Sequence, residues 1–150
     1  MTTAKQALGQ YGEEKVVRHC ACPRCKRSRT LVGLRDNFKC ADVICDFCGY
    51  LAQVKTTKKN DISAIPRRVT GAAWGPQQER MKAGIFFPLF LVLTSGDPRR
   101  YAIYYLSADL QRLEIFSPRE PLSPTAQRAG WQGFSYFFED QDLASFVRLV

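Results

Sequence analysis

Apolar and polar positions change period several times along the chain, and each change marks an element. Over residues 2–19, Leu8, Tyr11 and Val16 approximate one face of a helix that Thr2 or Thr3 can cap, although Gly9 and Gly12 weaken it. Residues 30–34 (TLVGL) and 38–44 (FKCADVI) read as extended. GYLAQVKT, residues 49–56, alternates: Tyr50, Ala52 and Val54 point one way, Leu51, Gln53 and Lys55 the other. Residues 56–72 are polar and basic and read as a loop containing a proline. GPQQERMKAG, 75–84, carries Pro near the start and Gly at the end of a short helix.

Two strands follow, 85–93 and 101–106, joined by the turn-like SGDPRR. SADLQRLE, 107–114, predicts a helix capped by Ser107. A proline-punctuated loop, 116–133, leads to a strand near 134–138, and DQDLASFVRLV, 140–150, predicts a closing helix with acidic residues where the dipole favours them. With no internal repeat and no clear boundary, residues 1–150 read as a single mixed α/β domain, with a small cysteine-bearing lobe at about 20–48.

Composition adds a partner to this outline. Lys and Arg number 22 against 14 Asp and Glu, a net charge of +8, high for 150 residues. Arg24, Lys26, Arg27, Arg29, Arg35 and Lys39 lie together, followed by Lys55, Lys58, Lys59, Arg67 and Arg68, while acidic residues gather toward the C-terminus. Such a basic face suits a polyanion, because each phosphate contact releases condensed counterions; a soluble basic surface is the alternative. No apolar run approaches the roughly 18–20 residues needed to span a bilayer. The N-terminal residues lack the apolar core of a signal peptide, so a cytoplasmic location is expected.

Chemistry enters with the cysteines. Cys22-Pro-Arg-Cys25 and Cys45-Asp-Phe-Cys48 form two C-x2-C units separated by nineteen residues, within the zinc pattern. Each knuckle supplies two thiolates from one turn, and four thiolates complete a tetrahedron that leaves no position open, so the zinc would be structural. Disulfides or unrelated buried thiols are the alternatives, disfavoured in a chain without a leader. His19 reads as a bystander to a complete set, and Cys20 and Cys40 as small buried apolar residues.

A second pattern lies just beyond. Asp42 precedes Gln53 by eleven positions, and Lys55 follows two later. Metal-dependent phosphodiester hydrolysis needs hard oxygen ligands for a divalent ion and a positive group beside them. An acid, then a second oxygen ligand two residues before a lysine on one strand face, meets that need. If Cys45–Cys48 forms the turn of a hairpin, Asp42 lies roughly opposite Leu51, within one strand step of Gln53. Ordinary strand surface is the alternative.

The neighbourhood of these residues resembles a known family. EEKVVRHCACPRC is similar to the first helix and first C-x2-C of the DpnI-type methyl-directed restriction endonucleases, the Dam-replacing family. ADVICDFCGYLAQVKTTKK resembles that family's Asp, second C-x2-C, E-x-K and basic run; GAAW resembles the start of the next helix, and EPLSPTAQRAGW a specific segment near the domain's end. The resemblance implies a PD-(D/E)XK restriction-endonuclease-like α/β core with a four-cysteine zinc knuckle lobe. It implies a Mg2+- (or Mn2+-) dependent deoxyribonuclease of type II restriction kind acting on double-stranded DNA in a bacterial cytoplasm, with adenine-methylated DNA as the possible target. Carried over by position, Asp42, Gln53 and Lys55 are the catalytic residues. Asp42, Gln53 and the backbone carbonyl of Val54 hold the magnesium, and Cys22, Cys25, Cys45 and Cys48 hold zinc.

Thr56, Thr57, Lys58 and Lys59 would cradle DNA, with Arg67 and Arg68 beyond them. Arg128 has two readings, phosphate contact or structural ion pair, and Trp131 two, DNA contact or core. Glu13 or Glu14 could supply an outer-sphere carboxylate; a solvated helix face is the alternative. Gln53 stands where the family has Glu, an oxygen donor without charge, although glutamine is common there in the wider superfamily. The family's winged-helix reader has no counterpart within these residues, which makes a separate DNA-reading partner an expectation, and two-strand cutting, which often needs two active sites, makes a homodimer another. Two other readings stand beside the nuclease: a catalytically impaired zinc-containing DNA-binding module and a zinc-ribbon protein–protein adaptor.

Overall fold

The computed structural model describes residues 3–35 and 38–150. A mixed six-stranded sheet separates two layers. Its strands are β1 (Leu31–Gly33), β2 (Val43–Cys45), β3 (Leu51–Lys58), β5 (Leu89–Thr94), β6 (Tyr101–Leu106) and β9 (Val147–Arg148), in that spatial order. All pairs are antiparallel except β3 with β5. The crossover between those two supplies β4 (Arg68–Ala73) and α2 (Trp74–Lys82). β4 joins β8 (Gly133–Phe137) and β7 (Phe116–Pro118) in a second, antiparallel sheet.

Each face of the large sheet has its own core. On one, Leu89, Leu91 and Leu93 meet Val69, Phe116, Phe134 and Tyr136 of the small sheet. On the other, Ala52, Val54, Phe90 and Val92 meet Val16 and the cysteines Cys20, Cys22 and Cys45. Covered on both sides, β5 is buried along its whole length, as a near-continuous apolar run requires. α1 (Ala4–His19) begins at Thr3, whose hydroxyl accepts from the Gln6 amide while the Gln6 side chain accepts from the Thr3 amide, a reciprocal capping box. Among the described residues no helix is long and apolar enough to cross a membrane.

Several elements depart from the sequence expectation. Of 38–44 only the end is strand, because Cys40 sits at φ 67° and turns the chain, and Asp36 and Asn37 lie outside the described residues. The expected loop 56–72 shrinks to 59–67, since β3 runs on to Lys58 and β4 starts at Arg68 by pairing with β8. The helix expected at 107–114 is two single turns, 108–110 and 113–115. Between them the Gln111 side chain donates to the Phe87 carbonyl, and Gln141 bonds both the Arg112 amide and the Leu110 carbonyl, which holds the chain extended. Ser107 precedes the first turn without a side-chain cap. The closing helix is also one turn, capped by Asp142, after which Val147–Arg148 pairs with the edge of β6. In each case a partner distant in sequence outweighs local propensity.

Candidate active site and metal centre

The hairpin β2–β3 is tied at its closed end by the cysteines. Leu51 pairs with Ile44 and Ala52 with Val43. Asp42 therefore lies one step beyond the last pair, beside Gln53 and Val54 rather than opposite Leu51. Its amide donates to the Ala52 carbonyl at 2.9 Å, and its carboxylate accepts from the Val54 amide at 2.7 Å. The Val54 carbonyl leaves β3 on the same edge as the Val54 amide, past the end of β2.

Asp42, Val54 and Lys55 open onto one cleft of about 360 Å³. α1 forms one wall through Lys5, Leu8, Gly9 and Glu13, and β4 the other through Val69, Thr70 and Gly71. Burial raises the Asp42 carboxyl above its ordinary value, opposed by the Val54 amide and the Lys55 charge. Burial lowers the Lys55 ammonium, opposed by Asp42 and Glu13 and reinforced by Lys5. Glu13 is half-buried on this wall, whereas Glu14 is exposed and faces Val17, Arg18 and Arg29.

Gln53 does not line the cleft. It is 4 % exposed, its carbonyl oxygen accepts from the Tyr136 hydroxyl, and its amide nitrogen donates to the Gln77 side chain at 3.3 Å. Tyr136 and Gln77 were invisible in the sequence as site residues: one lies 83 positions away on β8, the other on α2.

The cysteines form a second centre. The Sγ atoms of Cys22, Cys25, Cys45 and Cys48 lie within 4.8 Å of one another, with Cys22–Cys48 at 3.5 Å and Cys25–Cys45 at 3.7 Å. Sulfurs about 2.3 Å from a tetrahedral zinc stand about 3.8 Å apart, so the four thiols fit such an ion. Both knuckles use one backbone design. The residue after the second cysteine, Lys26 at φ 66° or Gly49 at φ 79°, bonds back to the first cysteine's carbonyl at 2.9 and 2.8 Å. The second and fourth cysteine amides, Cys25 and Cys48, point at the Cys22 and Cys45 sulfurs, both at 3.5 Å. Burial pushes the Cys22 thiol up to about 11. At Cys45 burial acts the same way, but Thr30 and the Cys48 and Phe47 amides outweigh it and bring the thiol down to about 6. His19 stays outside the cluster, exposed and tilted against Tyr101 at 5.8 Å. Cys20 is buried as expected; Cys40 is only half-buried, a correction that follows from the turn it makes beside Asp42.

The sequence matches the family described as DpnI: Dam-replacing family over residues 2–147, all but the first residue and the last three. The chain belongs to the Dam-replacing family. No curated protein matches it. Family membership points to a restriction-type nuclease, and such a domain would act on DNA.

The residues expected to contact DNA are dispersed. Thr56 and Thr57 line the cleft, Lys58 is exposed and Lys59 half-exposed at the end of β3. Arg67 is paired with Glu139 at 2.7 Å, both largely exposed, and Arg68 donates twice to Ser135 while lying over the Phe137 ring at 5.1 Å. The segment that resembles the Dam-replacing signature, 120–131, caps the β7–β8 hairpin, closed by Leu122–Trp131 and Gly130–Leu122 backbone bonds of 2.8 and 3.0 Å. Arg128 stacks on Trp131 at 4.7 Å and makes no ion pair among the described residues; Trp131 is half-buried and covers Gly133, where a Cβ would meet its ring at 2.9 Å.

Proposed function

We propose that residues 1–150 form one PD-(D/E)XK-type nuclease domain with a zinc-binding lobe at about 20–48, and that it hydrolyses DNA phosphodiesters with Mg2+ or Mn2+. The observation that carries this reading is the convergence on one cleft of the Asp42 carboxylate, the Val54 backbone and the half-buried Lys55 side chain. Oxygen donors of that kind suit a hard divalent ion. Such an ion, when bound, would make a water more acidic and offset charge developing on the phosphate. Asp42 orients the strand edge through its bond to the Val54 amide. Lys55, half-buried in the cleft with its ammonium lowered by burial, is placed to stabilise a phosphate oxygen or to pass a proton at Nζ. α1 and β4 exclude bulk solvent from the two walls. Four-thiolate zinc would hold the hairpin turn, so that loss of the lobe would let Asp42 drift from β3.

The basic strand ends and the net charge of +8 support double-stranded DNA as substrate, with adenine methylation and a homodimer or separate reading chain as further elements of this proposal. Lys58, Lys59, Arg68, Arg128 and Trp131 are the proposed DNA contacts, with Thr56, whose hydroxyl is buried against α1, contributing through its backbone, and Arg67 would exchange its pairing with Glu139 for phosphate. A second reading, an impaired DNA-binding module, draws support from the uncharged, hydrogen-bonded Gln53. Incubating the purified chain with methylated and unmethylated plasmid in Mg2+ or Mn2+ separates them. Cleavage that Lys55→Ala abolishes while leaving gel retardation intact supports the nuclease. Retardation with both plasmids uncut in either metal overturns it.

A further inference from the structure

The zinc lobe carries a side-chain cluster that neither the cleft nor the four thiols use. At its tip, in the second knuckle, Phe47 is 60 % exposed, and the Arg27 guanidinium lies over one face of its ring at 3.8 Å. Lys26 and Arg29 flank Arg27; all three are exposed, and none makes an ion pair among the described residues. Asp46 is the acid adjoining the cluster, so the tip keeps a net positive charge. A single exposed apolar residue is ordinary. One stacked under an arginine, among cations that pair with nothing, suits a polyanion with apolar rings.

The backbone beneath these cations is strained. Lys26 and Arg29 stand at φ 66° and 62°, in the left-handed region that favours glycine. The other knuckle fills the position matching Lys26 with Gly49. Glycine would form the same turn more easily, so the turn does not require the lysine. A charged side chain kept at a strained position points to a use for the charge. The tip is also within reach of whatever occupies the cleft. Asp42 directly precedes β2 and Cys45 ends it, a span of about 10 Å, or roughly three base pairs of duplex.

We propose that the tip of the zinc lobe is a second DNA-contacting surface, in which Lys26 and Arg29 bind backbone phosphates and Phe47, backed by Arg27, packs against sugar and base edges between them. The proposal rests on DNA as the partner in the reading above and not on cleavage.

Fluorescence anisotropy tests it apart from catalysis. A labelled duplex of about 20 base pairs is titrated with the full chain, each variant checked for bound zinc, from about 50 to 200 mM salt without magnesium or manganese. Lys26→Gly and Arg29→Gly should each weaken binding about five- to tenfold near 0.1 M salt and reduce the salt slope by about one. Their melting temperatures should rise by roughly 2–4 °C, because the left-handed turn is relieved. Phe47→Ala should weaken binding about fivefold or more with the slope unchanged. Parent affinity and slope in all three variants overturn the proposal and leave the nuclease reading standing. So does affinity that falls together with the melting temperature in both glycine variants, which would make these residues structural. A parent chain that binds no duplex at about 50 mM salt overturns the DNA reading as well.

Discussion

Replacing Gly12 by alanine should reverse its effect on stability according to what stands at position 56. In an exposed helix interior, Gly→Ala gains about 0.8–1 kcal/mol from propensity. Here the new Cβ would lie 1.7 Å from Thr56 Oγ1, 2.9 Å from its Cβ and 3.1 Å from its Cγ2. Overpacking of a filled core costs about 1–3 kcal/mol, and a contact this short belongs at the upper end, so the net is a loss of about 1–2 kcal/mol. At roughly 2–4 °C per kcal/mol for a domain of this length, the melting temperature falls by about 2–8 °C. Thr56 Oγ1 is buried and has no hydrogen-bond partner, so removing it sacrifices no hydrogen bond. In a Thr56→Gly background the clash disappears and the same alanine should stabilise by up to about 1 kcal/mol. Urea denaturation of the four proteins gives the double-mutant cycle, with an expected coupling of about 2–3 kcal/mol. A Gly12→Ala protein that is more stable than its parent with Thr56 present refutes the close seating of α1 on β3.

Asp42→Asn should raise the melting temperature of the protein without divalent ion at neutral pH. Burial raises the Asp42 pKa in the fold, so the ionised form costs stability as pH climbs past the unfolded value of about 3.9, and the advantage of asparagine should vanish below that pH; an advantage that persists at pH 3 would contradict this. Cys25→Ser should lower bound zinc, read by metal analysis, from one per chain toward none and broaden the melt, because folding and metal binding are coupled. Lys26→Gly removes a side chain from a left-handed position that the matching knuckle fills with Gly49, and should stabilise by roughly 1 kcal/mol in urea. Tyr136→Phe should cost about 1–3 kcal/mol, since it strips a donor from the buried Gln53 oxygen, and an unchanged unfolding midpoint would mean that bond contributes nothing.

What could be read from the chain alone was whatever depends on neighbours. The cysteine spacing specified the four-sulfur cluster because each knuckle is a local turn whose geometry is built within four residues. The alternation through GYLAQVKT marked β3, although the structure buries both of its faces, since α1 covers one and the small sheet the other. The apolar run before Thr94 marked β5, and Thr3 marked the start of α1. The helices expected at 107–114 and 140–150 had adequate local patterns and lost to hydrogen bonds from Gln111 and Gln141 and to the open edge of β6. Those partners are remote in sequence and carry no local signal.

The candidate site divides along the same line. Asp42, Lys55, Cys45 and Cys48 belong to one hairpin, so sequence spacing alone brought them together, whereas Cys22 and Cys25 reach the same cluster from the turn between α1 and β1. The direction of the Gln53 side chain depends on Tyr136 from β8 and Gln77 from α2, and the arrival of Glu13 depends on a glycine that lets a helix settle onto a threonine. Sequence determined which strand carries the candidate residues, because period and spacing are properties of contiguous residues. Only the tertiary structure decided which oxygens face the cleft, because a buried polar group points to whichever distant partner satisfies it.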